Sequence, residues 1–276
     1  MTTNLATVLE VVTATDPGSV RSHNEDSIAA DAETGLAVLA DGMGGYNAGE
    51  VASGIAVAML TTEMKQALAD HRPHEINGAS GEPLAVKLIK DNSAKANAAI
   101  YQTAQSQPQY AGMGTTLVVA LFFDNRMAVG HIGDSRLYRL RNDQFEQITR
   151  DHSLLQEQID SGMITKDQAR FSQNKNLVTR AVGIDPAVET EVHTYDVEPG
   201  DIYLLCSDGL SDMVVDEDIH ATLGTLQSNL PLAAKQLVQQ ANDNGGRDNI
   251  SVILVRVLDD FGAPTGWFAK FKTWFK

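Results

Sequence analysis

The 276-residue chain has little of what most quickly narrows a protein's chemistry. Cysteine is down to one, Cys206. A disulfide framework is therefore excluded, and a lone thiol inside the apolar run Ile202–Cys206 reads as a buried, reduced side chain and not as a nucleophile. Cations are scarce as well: 21 Lys and Arg face 36 Asp and Glu, for a formal charge of -15. A surface for nucleic-acid phosphates needs clustered Lys and Arg, so nucleic acid is excluded as a partner. An anionic substrate would need something local to reverse the sign. Long apolar runs are missing too. Leu117 to Phe123 falls far short of the roughly 20 residues that span a bilayer, and the opening MTTNLATVLEVV has no basic leader region. The expectation is a soluble protein in a reducing, cytoplasmic compartment.

What is present is material for a core. With 43% hydrophobic and 21% charged residues, the chain suits one large globular domain or two small ones. Short β-rich segments at Thr116–Phe123, Met127–Ile132 and Leu137–Leu140 follow one another across short turns, which predicts antiparallel pairing. Helical stretches run from Glu50 to about Leu68 and from Leu84 to about Gln105. Strands Glu189–Val197 and Asp201–Cys206, a helix Leu232–Ala241 and a last strand Ile250–Leu258 complete the pattern. Strand groups and helix groups segregate, which predicts an α+β fold: a central sandwich of two antiparallel β-sheets flanked by helices on both sides, four layers in the order αββα.

Three of the strand-like segments deliver an aspartate beside a glycine: Asp41 in LAVLADGMGG, Asp134 in MAVGHIGDSR and Asp208 in DIYLLCSDGL. Asp-Gly is also a common way to leave a strand, so each one alone reads as a turn. Asp248, in GGRDNISVILV, instead begins its strand. A strand start and a strand end share one sheet edge only if the strands are antiparallel, so the pattern predicts four carboxylates on one rim. Packed together they would repel one another unless cations sat between them. The donors are all oxygen, with no Cys-x-x-Cys and no His pair at metal-binding spacing, which favours Mg or Mn over Zn. Gly42 lets a backbone carbonyl approach such an ion. Arg21, Glu25 and Asp26 in VRSHNEDS read alone as a solvated charged loop. Beside a metal rim they read as water-holding carboxylates and a phosphate-gripping fork.

Seven motifs in order, RSHNEDS, ADGMGG, GMGTT, GDSR, DHS, SDGL and GRDNISV, span roughly Val8 to Val257. Together they resemble the metal-dependent serine/threonine protein phosphatases of the 2C type, and Met43 in Asp-Gly-Met-Gly-Gly resembles the bacterial members. The resemblance implies a catalytic domain over residues 1–258, with a flap at about 154–182 and a tail at 259–276. It implies two Mn or Mg ions, bridged by Asp41, with the Gly42 carbonyl on one and Asp208 and Asp248 on the other. Glu25 and Asp26 would hold metal-bound waters, Arg21 would bind phosphate, and Asp134 would share a third, weaker ion with Asp208. A water between the two ions would attack phosphorus in line, hydrolysing phosphoserine and phosphothreonine in opposition to a Ser/Thr kinase. The alternatives are a catalytically silent phospho-binding module on the same fold and a small-molecule phosphomonoesterase.

Some stretches stay outside that scheme. His152 reads as a structural histidine or as the cap of the following helix, because nothing in its spacing aims it at the rim, and the leaving-group acid is unassigned. Arg170, Lys175 and Arg180 of the flap either meet phosphopeptide charge or lie on a solvated helix. Both tryptophans fall in GWFAKFKTWFK, where Trp267–Lys276 has the helical spacing of a basic aromatic segment. Such a segment predicts weak docking at the inner membrane face or on a partner, or else folding back on the domain.

Overall fold

The computed structural model describes residues 5–45, 48–76, 81–169 and 177–262. Strands β1 (Leu9–Asp16), β2 (Asp26–Asp31) and β3 (Leu36–Met43) lead into helices α1 (Ala48–Asp70) and α2 (Leu84–Ser106). A short β4 (Gly114–Thr115) precedes β5 (Leu117–Phe123), β6 (Arg126–Ile132), β7 (Arg136–Arg141) and β8 (Gln144–Gln147). Helices α3 (Leu154–Asp160) and α4 (Lys166–Ala169) follow, then β9 (Glu191–Asp196) and β10 (Ile202–Cys206). The chain continues through α5 (Asp208–Ser211), α6 (Asp216–Leu226) and α7 (Leu230–Asp243) to β11 (Ile250–Val257).

All strand pairs are antiparallel. One sheet has the order β1-β11-β10-β7-β8, and the other runs β2-β3-β5-β6-β9 with β4 added to β3. Successive side chains of a strand point to opposite faces, and here both faces of the central strands are apolar. In β3, Leu36, Val38 and Ala40 pack under α1 and α2, while Ala37 and Leu39 meet the other sheet. In β10, Tyr203 and Leu205 face the sandwich, while Ile202, Leu204 and Cys206 pack under α6 and α7. Three apolar layers thus hold four layers of structure, the αββα order expected. Each large apolar side chain buried in them contributes roughly 1.5–3 kcal/mol.

The pairing departs from the sequence reading in two places. β5 and β6 form the expected hairpin, through Asp124 and Asn125 at φ 48° and 54°, the left-handed pair that a tight two-residue turn requires. β6 and β7, however, do not pair: β6 joins β5 and β9, whereas β7 joins β10 and β8. The chain crosses from one sheet to the other at Gly133–Ser135. β9 and β10 are likewise split between the sheets. A short turn looks the same in sequence whether it folds a strand back or carries it across a sandwich. β1, β2, β8, α5 and α6 have no counterpart in the sequence reading.

Among the described residues no helix is long and apolar enough to cross a membrane. Trp267–Lys276, Arg170 and Lys175 lie outside the described residues.

Candidate metal centre

The acidic residues converge where the two sheets meet. Asp26 opens β2 directly opposite Asp41 of β3. Asp208 follows β10 and Asp248 precedes β11, and these strands are antiparallel neighbours, so the strand end and strand start share an edge as expected. The Ser207 hydroxyl joins the two halves, donating to Asp26 Oδ2 at 2.8 Å. Asp134 stands on the crossover between the sheets. Asp41 differs from expectation in one respect: it lies within β3, because β4 extends the pairing to Gly42 and Met43.

The backbone of Asp41 is fully engaged. Its N–H donates to Thr116 Oγ1 (3.0 Å), and its carbonyl accepts from Thr116 N (2.9 Å) and Thr115 Oγ1 (2.8 Å). Only the carboxylate is left to act. Gly42 is pressed between two backbones: a Cβ there would stand 2.2 Å from the Gly49 carbonyl oxygen and 2.5 Å from that of Glu25. Any side chain would separate α1 from the rim.

Burial and mutual repulsion set the electrostatics. The Asp41 carboxyl is pushed well above the usual range, first by burial and then by Asp26, Asp208, Asp134 and Asp248. Asp208 is likewise pushed well above the usual range, by burial and then by Asp134, Asp212 and Asp248. Burial is also the main cause that lifts Asp26 and Asp134 to about 6. One oxygen of Asp26, Oδ1, is buried without a hydrogen-bond partner. Crowded, desolvated carboxylates, an orphaned oxygen and an all-oxygen donor set fit hard divalent cations.

The flanking loop supplies a cation. Arg21 Nη2 bonds Asp248 Oδ2 at 2.7 Å, and this contact is the main cause that raises the guanidinium pKa. The arginine side chain is 52% exposed, so it stands at the mouth with donors to spare. Asn249 fixes that loop: its Oδ1 accepts the Glu25 N–H (2.8 Å) while its Nδ2 donates to the Pro17 (3.0 Å) and His23 (2.9 Å) carbonyls. The Glu25 carbonyl accepts from Ser53 Oγ at 2.6 Å.

Sequence reasoning missed several members of this arrangement. Asp212 lies one helical turn beyond Asp208, a spacing that was legible. Ser207, Thr116, Ser53 and Asn249 support the ligands through hydrogen bonds that only the fold reveals. His131, His152 and Glu191 also come close enough to share an ion, although their sequence separation conceals it. The cap of α3 is Ser153, whose Oγ accepts the Gln156 N–H, and not His152. Cys206 is buried as expected, its thiol pushed up to about 12 by desolvation.

Residues 19–244 match the family model described as Protein phosphatase 2C. The serine/threonine protein phosphatase PstP of Mycobacterium tuberculosis is 41% identical over 257 residues, covering 92% of this chain and 46% of PstP. The chain therefore spans about half the length of that relative. The serine/threonine phosphatase stp of Listeria innocua is 37% identical over 244 residues, 87% of this chain and 93% of the relative. Among solved structures, the catalytic domain of PstP in complex with two manganese ions matches with a TM-score of 0.79 at 37% identity, covering 91% of this chain and 99% of that one.

Proposed function

Because the chain belongs to the protein phosphatase 2C family of serine/threonine phosphatases, we propose that its rim of aspartates holds two divalent ions, Mn or Mg, and hydrolyses phosphoserine and phosphothreonine in proteins. The gathering of Asp26, Asp41, Asp134, Asp208 and Asp248 from both sheets onto one half-buried edge carries this reading. Asp41, the Gly42 carbonyl, Asp208 and Asp248 would hold these two ions. Glu25 and Asp26 would hold water beside them, and Asp134 with Asp208 would hold a third, weaker ion.

When bound, the ions supply an acidified water and offset the charge of the phosphate. The protein's own groups do the rest. Arg21, tethered by Asp248, presents its remaining N–H donors to the phosphate oxygens and orients the phosphorus for in-line attack. The hydrogen-bonded backbone of Asp41 holds its carboxylate in place as charge shifts. No protein hydroxyl takes the phosphoryl group.

The substrates in this reading are phosphoproteins, a Ser/Thr kinase among them, in the cytoplasm. Residues 1–258 form the catalytic domain and 154–182 its flap, while the tail Trp267–Lys276 makes a weak contact with an anionic membrane face or a partner. The relatives' names support a protein phosphatase over a silent module or a small-ester hydrolase. The test is phosphate release from a phosphothreonine peptide, compared with a small aryl phosphate. Turnover should vanish in excess chelator, return with Mn or Mg, and favour the peptide. Undiminished release in chelator would overturn the mechanism.

A further inference from the structure

His152 lies off the rim but grips the loop that carries Asp134. Its backbone N–H donates to the Gly133 carbonyl at 2.8 Å, and its ring Nδ1 accepts the Gly133 N–H at 3.1 Å. Both polar backbone groups of Gly133 therefore end on one residue. An amide N–H only donates, so Nδ1 holds the lone pair and the ring proton sits on Nε2. That nitrogen lies 3.4 Å from Glu191 Oε2 on β9. The ring is stacked on His131, centroids 4.6 Å apart at 16°, and His131 Nε2 donates to the Arg150 carbonyl at 2.8 Å. The His152 side chain is 10% exposed.

His131, His152 and Glu191 have the proximity of a ligand set, but the protons are in the wrong place for one. The Gly133 N–H keeps the His152 proton on the nitrogen that would have to bind, and Arg180 Nη1 stands 3.3 Å from that same atom. The trio is a hydrogen-bonded anchor. On its other side Gly133 has no room to move: its φ is +102°, and a Cβ there would stand 2.8 Å from the Thr116 side chain. Thr116 Oγ1 in turn accepts the Asp41 N–H and bonds the Ser135 hydroxyl at 2.7 Å. The crossover is thus wedged between Thr116, which bonds Asp41, and the ring of His152.

We propose that His152 is a positioning residue, which holds the Gly133–Asp134 peptide so that Asp134 faces a divalent ion at the rim. It also ties that ligand to the flap, because Thr179 N–H donates to the His152 carbonyl at 2.8 Å. The inference rests on the reading of Asp134 as the ligand of a third, weaker ion.

Two substitutions separate its contacts. His152→Asn places an oxygen near the position of Nδ1 and keeps an acceptor for Gly133. His152→Gln sends its polar end toward Glu191 and leaves the Gly133 N–H unpaired. Calorimetric titration with Mn should show the Gln variant binding its weakest ion 10- to 100-fold less tightly, the range typical when a group supporting a metal ligand is lost, with the two tighter ions unchanged. Its kcat should fall by a similar factor at little change in KM, and the Asn variant should stay within a few-fold of wild type. In the metal-free protein, amide hydrogen exchange at Gly133 should be faster in the Gln variant than in the Asn variant. Equal behaviour of the two variants, or loss of the tight ions in the Gln variant, overturns the proposal. Asp134→Ala distinguishes the failures. If it weakens the third ion and His152→Gln does not, only the role of His152 falls; if it changes neither that ion nor kcat, both readings fall.

Discussion

Asp134 carries a penalty that an ion would relieve. An unfolded aspartate titrates near 3.9, whereas burial holds this one at about 6. Below pH 4 both states are protonated and nothing is lost. As the pH rises from about 4 to about 6 the unfolded chain gives up its proton first, so the native state loses stability until both are ionised. In chelator, Asp134→Asn should therefore be more stable than wild type at pH 7, by up to about 3 kcal/mol for a shift of this size. The advantage should disappear near pH 4. Urea unfolding at the two pH values checks this, and a variant less stable at pH 7 would mean that the carboxylate is stabilised by a partner. At this scale the sequence was informative where an acid stood next to glycine, as at Asp41, Asp134 and Asp208. It was silent on Thr116, Ser207 and His152, whose hydroxyls and ring nitrogens matter only through partners brought near by folding.

Elements position what residues supply, and the segment proposed as the flap illustrates this. Beyond the Thr179–His152 bond, two further points fix its returning segment. Val182 exchanges both backbone bonds with Thr115 (2.8 and 3.0 Å), whose hydroxyl donates to the Asp41 carbonyl. Asn97 of α2, 1% exposed, accepts the Gly183 N–H at 2.7 Å and donates to the Asp185 carbonyl at 3.0 Å. Asn97→Ala would leave a buried amide without an acceptor, which costs about 1–3 kcal/mol and opens the segment locally. KM for a phosphopeptide should rise several-fold while hydrolysis of a small aryl phosphate barely changes. Equal losses on the two substrates would show that Asn97 supports the rim itself. Element identities were largely legible, since α1, α2, α7, β5, β6, β10 and β11 all stand where periodicity placed them. Sheet membership was not legible. Arg136–Arg141 alternates equally well against β6 or β10, and the choice depends on which face of the sandwich its Leu137 and Tyr138 fill.

For the whole molecule, charge governs the approach of substrate. A formal charge of -15 repels acidic phosphopeptides, and two divalent ions offset only a small part of it. Long-range repulsion of this kind slows encounter and fades within about 10 Å at 0.1 M salt. A phosphothreonine peptide flanked by Lys and Arg should have a higher kcat/KM than one flanked by Asp and Glu, and added salt should narrow the gap. A gap independent of ionic strength would place the preference in short-range contacts. The architecture also sets a timetable. β11 is the last described strand in the chain and lies inside its sheet, between β1 and β10. Until residues 250–257 have been synthesised, β1 has no strand to pair with and Asp248 has nothing to anchor it. A chain still on the ribosome can assemble Asp26 and Asp41 but not the finished rim, so the proposed site closes only once β11 has taken its place between β1 and β10.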